Sequence, residues 1–183
     1  MGDNSGTVAS NNTLSSNSFG GYITGSNLSL QGNTTANNSQ HGVLVTGASA
    51  FNNPLLSNSI SGNGGFGIRL LSGGNGNQKA LYVAASTLDG GNLTVIGGLT
   101  GAAANTTYLI QLFSNPSGPA VQAQGATFLQ NVTLVTDATG NGTFNETSSQ
   151  GSVVAGELIS ATGTLNGTTP TNTSQFSAGS NVT

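Results

Sequence analysis

Apolar positions along this chain come in short runs set between clusters of Asn, Ser, Thr and Gly, and the runs keep two different rhythms. In the first half a phrase recurs three times: Leu14-Ser-Ser-Asn17 running to Gly21-Tyr22-Ile23, Thr35-Ala-Asn-Asn38 to Gly42-Val43-Leu44-Val45, and Ile60-Ser-Gly-Asn63 to Gly67-Ile68-Arg69-Leu70. In each, an apolar or β-branched residue stands three before an Asn, and a Gly opening an apolar pair stands four after it. The copies are offset by 21 and then 25 residues. Such a period is too long for a hairpin repeat and suits one rung of a β-solenoid, whose short strands stack on the next rung. Val8, Leu14, Ile23, Leu28, Leu30, Val43, Val45, Leu55, Ile60, Ile68 and Leu70 are the residues expected to point inward, each contributing roughly 1.5–3 kcal/mol when fully buried. Asn17, Asn38 and Asn63 hold one place in successive rungs, where stacked amides are expected to hydrogen-bond as a ladder.

At Gly73-Gly-Asn-Gly-Asn-Gln78 the phrase stops and longer strands begin. The pattern predicts strands near Ala80–Thr87, Leu93–Thr100, Thr106–Phe113, Ala126–Thr136, Gly142–Glu146, Val153–Gly163 and Ser174–Ala178. Asp89-Gly-Gly and Asp137-Ala-Thr-Gly-Asn-Gly142 read as turns. Tyr108, Ile110 and Leu112 alternate on one face, as do Val132 and Leu134, the mark of half-buried antiparallel strands. Seven strands in this span predict an immunoglobulin-like antiparallel β-sandwich. The fold class is therefore all-β, with about three parallel β-helix rungs over 1–78 and the sandwich over 79–183.

Both halves also resemble known families. Asn58-Ser-Ile-Ser-Gly-Asn63-Gly-Gly-Phe-Gly-Ile68 and Gln40-His-Gly-Val43-Leu-Val are similar to right-handed parallel β-helix repeats of the pectate-lyase type, over residues 7–78. That superfamily holds polysaccharide lyases and hydrolases, phage tailspikes and non-catalytic surface proteins, so the resemblance implies a fold without choosing an activity. Residues 81–178 resemble the β-sandwich that closes such arrays in large bacterial and archaeal surface proteins. The phrases that carry this are Ala104-Asn-Thr-Thr-Tyr108-Leu-Ile-Gln-Leu-Phe-Ser-Asn-Pro116, Gly125-Ala-Thr-Phe128-Leu, Val135-Thr-Asp-Ala-Thr-Gly-Asn-Gly142-Thr-Phe, Val154-Ala-Gly-Glu157-Leu-Ile-Ser-Ala-Thr162 and Asn172-Thr-Ser-Gln-Phe176-Ser. One departure is a short loop at Asn115–Gly125. The second resemblance implies an extracellular structural or adhesive role.

Composition narrows the chemistry. The chain has 2 Lys and Arg against 5 Asp and Glu, with 29 Gly and no Cys. Ordinary domains carry roughly 25% charged residues, so solubility here rests on hydroxyls and amides. Without a basic cluster there is nothing to displace counterions from nucleic acid phosphates. No apolar run reaches the roughly 18 residues needed to span a bilayer, so membrane insertion is not expected. Absent cysteine removes disulfides and thiolate chemistry. The opening Met1-Gly2-Asp3-Asn4 lacks a basic segment followed by an apolar one. Combined with an extracellular-looking composition, that fits a processed product or a piece of a longer protein.

Glycosidic hydrolysis needs two carboxyl groups flanking the bond. The coil half offers only Asp3, together with His41 and Arg69, which are expected at a corner and on the outside. In the second half Asp89, Asp137, Glu146 and Glu157 show no motif spacing. Asp137 to Asn141 lacks the acidic density of a calcium loop and reads as a turn. No catalytic residue, metal site or cofactor is expected, and an enzyme is rejected. An ice-binding solenoid would need a file of Thr-x-Thr pairs, which the hydroxyl residues do not form.

Twelve asparagines open an Asn-x-Ser/Thr triplet: Asn11, Asn27, Asn33, Asn37, Asn92, Asn105, Asn131, Asn141, Asn145, Asn166, Asn172 and Asn181. Chance would give about six among the asparagines present, so these are candidate N-glycosylation sites of a surface protein. The expected function is a non-catalytic extracellular structural or adhesive protein, self-associating or joining other surface proteins as a subunit of a head-to-tail filament, sheath or surface layer. The alternative is a carbohydrate-binding or receptor-binding module of a larger secreted protein or tail fibre; glycan sites usually set aromatic rings beside polar groups, whereas Trp is absent and the coil has only Tyr22 and three Phe, so loss of selective glycan binding on Tyr22→Ala is the sign that would favour it.

Overall fold

A computed structural model describes residues 7–116 and 124–183. Asp3 and most of the Asn115–Gly125 loop lie outside the described residues. The first half winds through three rungs of three short strands. Rung one holds β1 (Thr7–Ser10), β2 (Thr13–Ser15) and β3 (Gly21–Ile23); rung two holds β4 (Leu28–Gln31), β5 (Thr34–Ala36) and β6 (Val43–Thr46); rung three holds β7 (Leu55–Leu56), β8 (Ser59–Ser61) and β9 (Ile68–Leu71). They stack as three parallel sheets, β1-β4-β7, β2-β5-β8 and β3-β6-β9.

Register decides which side chains turn inward. Ala9, Leu30 and Leu55 form one file, Leu14, Thr35 and Ile60 a second, and Ile23, Val45 and Leu70 a third. Val8 is corrected by this register. It pairs with Ser29 and is 61% exposed, because Ala9 takes the inward place and successive strand residues point to opposite faces. Two corners repeat a left-handed residue in every rung: Asn11, Gly32 and Ser57 at one, Ser16, Asn37 and Gly62 at the other, all with φ between 52° and 64°. Asn and Gly tolerate that conformation best, which explains their density here.

The second half is a sandwich of antiparallel sheets. One is β10 (Tyr82–Asp89), β11 (Asn92–Leu99) and β14 (Gly142–Ser149); the other is β13 (Thr127–Val135), β12 (Thr107–Asn115), β15 (Leu158–Asn166) and β16 (Pro170–Thr173), with β17 (Ser180–Asn181) also on β15. Leu93, Val95, Tyr108, Ile110, Leu112, Val132, Leu134, Phe144 and Ile159 fill the space between. Two sequence expectations need correction. Val153–Glu157 is a turn, with Glu157 N–H bonded to Val154 O at 3.2 Å, and the strand starts at Leu158. Ser174–Ala178 follows β15 without being a strand, because serine hydroxyls replace backbone acceptors: Gly163 N–H donates to Ser174 Oγ at 3.0 Å and Ala161 N–H to Ser177 Oγ at 2.9 Å.

β12 and β15 are buried on both faces, since the outer face of their sheet closes the end of the coil. Gly125 and Ile60 exchange backbone hydrogen bonds of 2.7 and 2.8 Å. Elsewhere polar side chains of the sandwich stand in for a fourth rung. Gln111 Oε1 accepts from Ser57 N–H at 2.9 Å, Thr173 Oγ1 from Leu55 N–H at 2.9 Å, Asn172 Oδ1 from Asn52 N–H at 2.6 Å and Gln175 Oε1 from Leu70 N–H at 3.1 Å. Phe176 packs onto the apolar core of the coil and edge-on to Phe113 at 5.3 Å. An edge that would otherwise invite pairing is thus satisfied by amides and hydroxyls.

Candidate functional site

Stacked glycines make one corner of the coil unusually tight. A Cβ on Gly20 would lie 2.7 Å from Gly42 O, and one on Gly42 would lie 2.5 Å from Gly67 O. Only hydrogen fits there, so the backbone of each rung can lie directly on the next. Immediately before these glycines stand Phe19, His41 and Phe66, and their rings form an outer file with centroid separations of 5.9 Å at each step. Two residues after the glycines, Tyr22, Leu44 and Arg69 are paired in register across β3, β6 and β9. Tyr22 lies 5.6 Å from Phe19, and the Arg69 guanidinium carbon lies 4.6 Å from the centre of the Phe66 ring. Leu44 is buried between the two outer members of its file, whereas Tyr22 is 60% and Phe66 39% exposed.

The electrostatics of this cluster are simple. His41 Nδ1 accepts the Phe66 N–H at 3.1 Å, so its neutral form carries the proton on Nε2. Burial, and secondarily the Arg69 charge, hold its pKa below the ordinary histidine value. Arg69 forms no ion pair and no side-chain hydrogen bond among the described residues, although it is one of only two Lys or Arg in the chain. A planar cation stacked on a ring, with an N–H fork that none of the described residues engages and exposed aromatic surface beside it, has the donors to take an acceptor.

A cleft of about 260 Å³ lies on the other side, between the outer face of β1-β4-β7 and β16. Val8, Asn27, Asn52, Pro54, Thr169 and Pro170 line it, and it presents no titratable side chain.

Asn17, Asn38 and Asn63 come together as a ladder. Asn17 N–H donates to Asn38 Oδ1 and Asn38 N–H to Asn63 Oδ1, both at 3.0 Å, while Asn38 Nδ2 reaches Asn63 Oδ1 at 2.9 Å and Leu14 O at 3.1 Å. Gln124 of the sandwich ends it, with Oε1 2.8 Å from Asn63 Nδ2 and Nε2 2.8 Å from Asn63 O. Two further ladders were missed from the sequence: Asn12, Asn33 and Asn58, and Asn53 with Asn75. The signal was there, since Asn12, Asn33 and Asn58 repeat the same offsets of 21 and 25 residues.

This burial separates Asn33 from the other triplet asparagines. It is 1% exposed with its amide bonded to Ala9 O and Asn58 Oδ1, so the folded chain has no room for a glycan there. Asn11, Asn37, Asn92, Asn105, Asn131, Asn141, Asn145 and Asn181 are exposed, while Asn27, Asn166 and Asn172 are half-buried. The four described acids all lie in the sandwich, and no group of three His, Asp or Glu suited to a metal occurs among the described residues. Asp137 Oδ1 is occupied by its own turn, accepting from Thr139 N–H at 2.8 Å, Thr139 Oγ1 at 2.7 Å and Asn141 N–H at 3.0 Å.

Residues 1–82 match the family described as right handed beta helix region, a span that includes all nine strands of the coil. That part of the chain is a short right-handed β-helix, and antiparallel sheets consistent with a β-sandwich follow it. No curated protein matches the chain.

Proposed function

From a right-handed β-helix closed at one end by a sandwich, we propose a non-catalytic extracellular structural or adhesive protein. The observation that carries this is the outward cluster of exposed Tyr22 and Phe66 with half-buried Phe19, His41 and Arg69, on a scaffold tied together by amide ladders. Such a scaffold holds five side chains in fixed relation without an induced change, which lowers the entropic cost of contact with a partner. Exposed aromatic rings beside an unpaired cation favour adhesion through carbohydrate over a purely architectural role.

Two measurements test the reading. A glycan array with the wild type and Tyr22→Ala is expected to show selective binding that the substitution removes; an array without selective binding overturns adhesion through sugars. Electron microscopy across a concentration series tests self-association. The sandwich occupies the last rung, so head-to-tail growth must set the edge of β1, β2 and β3 against the outside of a neighbour's sandwich, an arrangement that does not close. Fibres are the expected result of that assembly, and particles that stay single at high concentration refute it.

A further inference from the structure

One dipeptide of the sandwich is left free to react with itself. The chain has four Asn-Gly pairs: Asn63-Gly64, Asn75-Gly76, Asn141-Gly142 and Asn166-Gly167. In such a pair the glycine nitrogen has no Cβ beside it to hinder attack on the asparagine Cγ. We infer that Asn166-Gly167, alone of the four, is a site of spontaneous deamidation in the folded protein, where an amide is converted to aspartate and isoaspartate.

The reaction consumes only water. The Gly167 nitrogen gives its proton to solvent base and attacks Asn166 Cγ. The Cγ–Nδ2 bond breaks, Nδ2 leaves as ammonia, and a cyclic succinimide remains. Water then opens the ring: cleavage of the new Cγ–N bond gives aspartate, and cleavage of the original peptide C–N bond gives isoaspartate. Nothing is oxidised or reduced. Ring closure is intramolecular, so its rate follows how freely the side-chain amide and the next backbone nitrogen can approach each other.

The fold withholds that freedom from three of the pairs. Asn63 and Asn75 are 7% and 0% exposed. Asn63 Nδ2 donates to Gln124 Oε1 at 2.8 Å and Thr35 O at 3.1 Å, and Gly64 N–H to Asn38 O at 2.9 Å. Asn75 Nδ2 donates to Asn53 O at 2.8 Å and Thr173 O at 3.0 Å, and Gly76 N–H to Gly73 O at 2.9 Å. Asn141 is exposed, but its amide is held at both ends. Its Oδ1 accepts from Gly101 N–H at 3.1 Å and its Nδ2 donates to Thr139 Oγ1 at 2.8 Å, while Gly142 is fixed in β14 opposite Leu99.

Asn166-Gly167 has none of these restraints. Asn166 is the half-buried last residue of β15, and exposed Gly167 opens the loop to β16. Among the described residues, neither the Asn166 side chain nor the Gly167 N–H makes a hydrogen bond. Asn166 faces Pro170, which has no N–H, so this closing pair of the hairpin returns no backbone bond to Asn166 from that residue. Thr169 and Pro170 of the same hairpin line the cleft that presents no titratable side chain, so conversion brings a negative charge to a neutral surface. It also removes Asn166 from the Asn-x-Ser/Thr triplets.

The test ages the full chain, made without glycosylation, at neutral pH in water enriched in heavy oxygen, so that label marks amides converted during ageing. Peptide mass mapping, with chromatography to separate aspartate from isoaspartate, is expected to show Asn166 converting at least about tenfold faster than Asn63, Asn75 or Asn141. In urea that unfolds the chain, the four rates should converge. Gly167 does not have a left-handed φ, and an added Cβ meets nothing within 4 Å. Gly167→Ala is therefore expected to keep the melting temperature and to slow conversion of Asn166 at least about tenfold. Thr139→Val frees Asn141 Nδ2 and is expected to accelerate Asn141 while leaving Asn166 unchanged. An unreactive Asn166, a folded-state rate at Asn141 equal to that at Asn166, or a rate that survives Gly167→Ala overturns the inference.

Discussion

Asn38 and Asn17 hold the same place in adjacent rungs, and the coil makes opposite demands on them. Asn38 is 1% exposed and its side chain makes three hydrogen bonds: one accepted from Asn17 N–H, one donated to Leu14 O and one to Asn63 Oδ1. Asn17 is exposed, and its amide only reaches back to Ser15 O at 3.1 Å. At about 1 kcal/mol net for each hydrogen bond, Asn38→Ala should cost about 3 kcal/mol. For a chain of this size that lowers the melting temperature by about 6–12 °C. Asn17→Ala should cost under about 0.5 kcal/mol, as expected of a surface change. Asn38→Asp is the sharper probe. It keeps the acceptor for Asn17 N–H but turns a carboxylate oxygen toward Leu14 O and Asn63 Oδ1, which have no proton to offer. Burial then raises the folded-state pKa of the introduced acid, so this variant loses stability relative to wild type as pH climbs above about 4 and regains it in acid. Urea denaturation of the four proteins at pH 4 and pH 7 is the assay. Equal costs for the two alanine substitutions, or an Asp variant as stable as wild type at pH 7, would refute the ladder as a source of stability.

Other outcomes follow from the same geometry. Gln124→Ala deletes the amide that bonds Asn63 and Gly65 from the sandwich, and should cost about 2–4 kcal/mol, with amide exchange in the third rung accelerating more than in the first. Because the folded-state pKa of His41 is lowered, its contribution is complete above the unfolded value near 6.5 and is lost as pH falls through the folded one. His41→Phe should therefore flatten the pH dependence of the melting temperature in that window, and an unchanged slope would count against it. Asp137 likewise has a lowered pKa, held down chiefly by the Asn141 N–H, so Asp137→Asn should remove a stability increment that wild type loses below the ordinary carboxylate range. When folded protein is secreted from a glycosylating host, peptide mass spectrometry should find Asn33 bare, and a sugar on Asn33 in folded material would contradict its burial.

The rungs were legible because their periodicity repeats the same local problem. A strand of three or four residues needs one or two inward apolar side chains, and each rung sets an amide against the backbone of the next, so the spacing between Asn17, Asn38 and Asn63 exposes the winding. Val8 shows the limit of this reading. Its hydrophobicity favours burial, yet the pairing of Ala9 with Leu30 decides the face. The aromatic–basic cluster was legible only in part. Tyr22 was singled out among the aromatic residues of the coil, whereas the approach of Phe19, His41, Phe66 and Arg69 depends on which corner each rung turns outward.

The chain alone determined most strands of its second half, its two rhythms and the repeated amide, because each depends on residues close together or on a fixed period. Only the tertiary structure decided that the sandwich lies across the last rung. Gln111, Ser160, Thr162 and Thr164 are polar residues on β12 and β15, and they are buried because a second layer covers them. No local pattern reports that coverage: a polar side chain destined for water and one that completes a neighbour's edge satisfy the same hydrogen-bonding need, and only the three-dimensional path brings the neighbour to it.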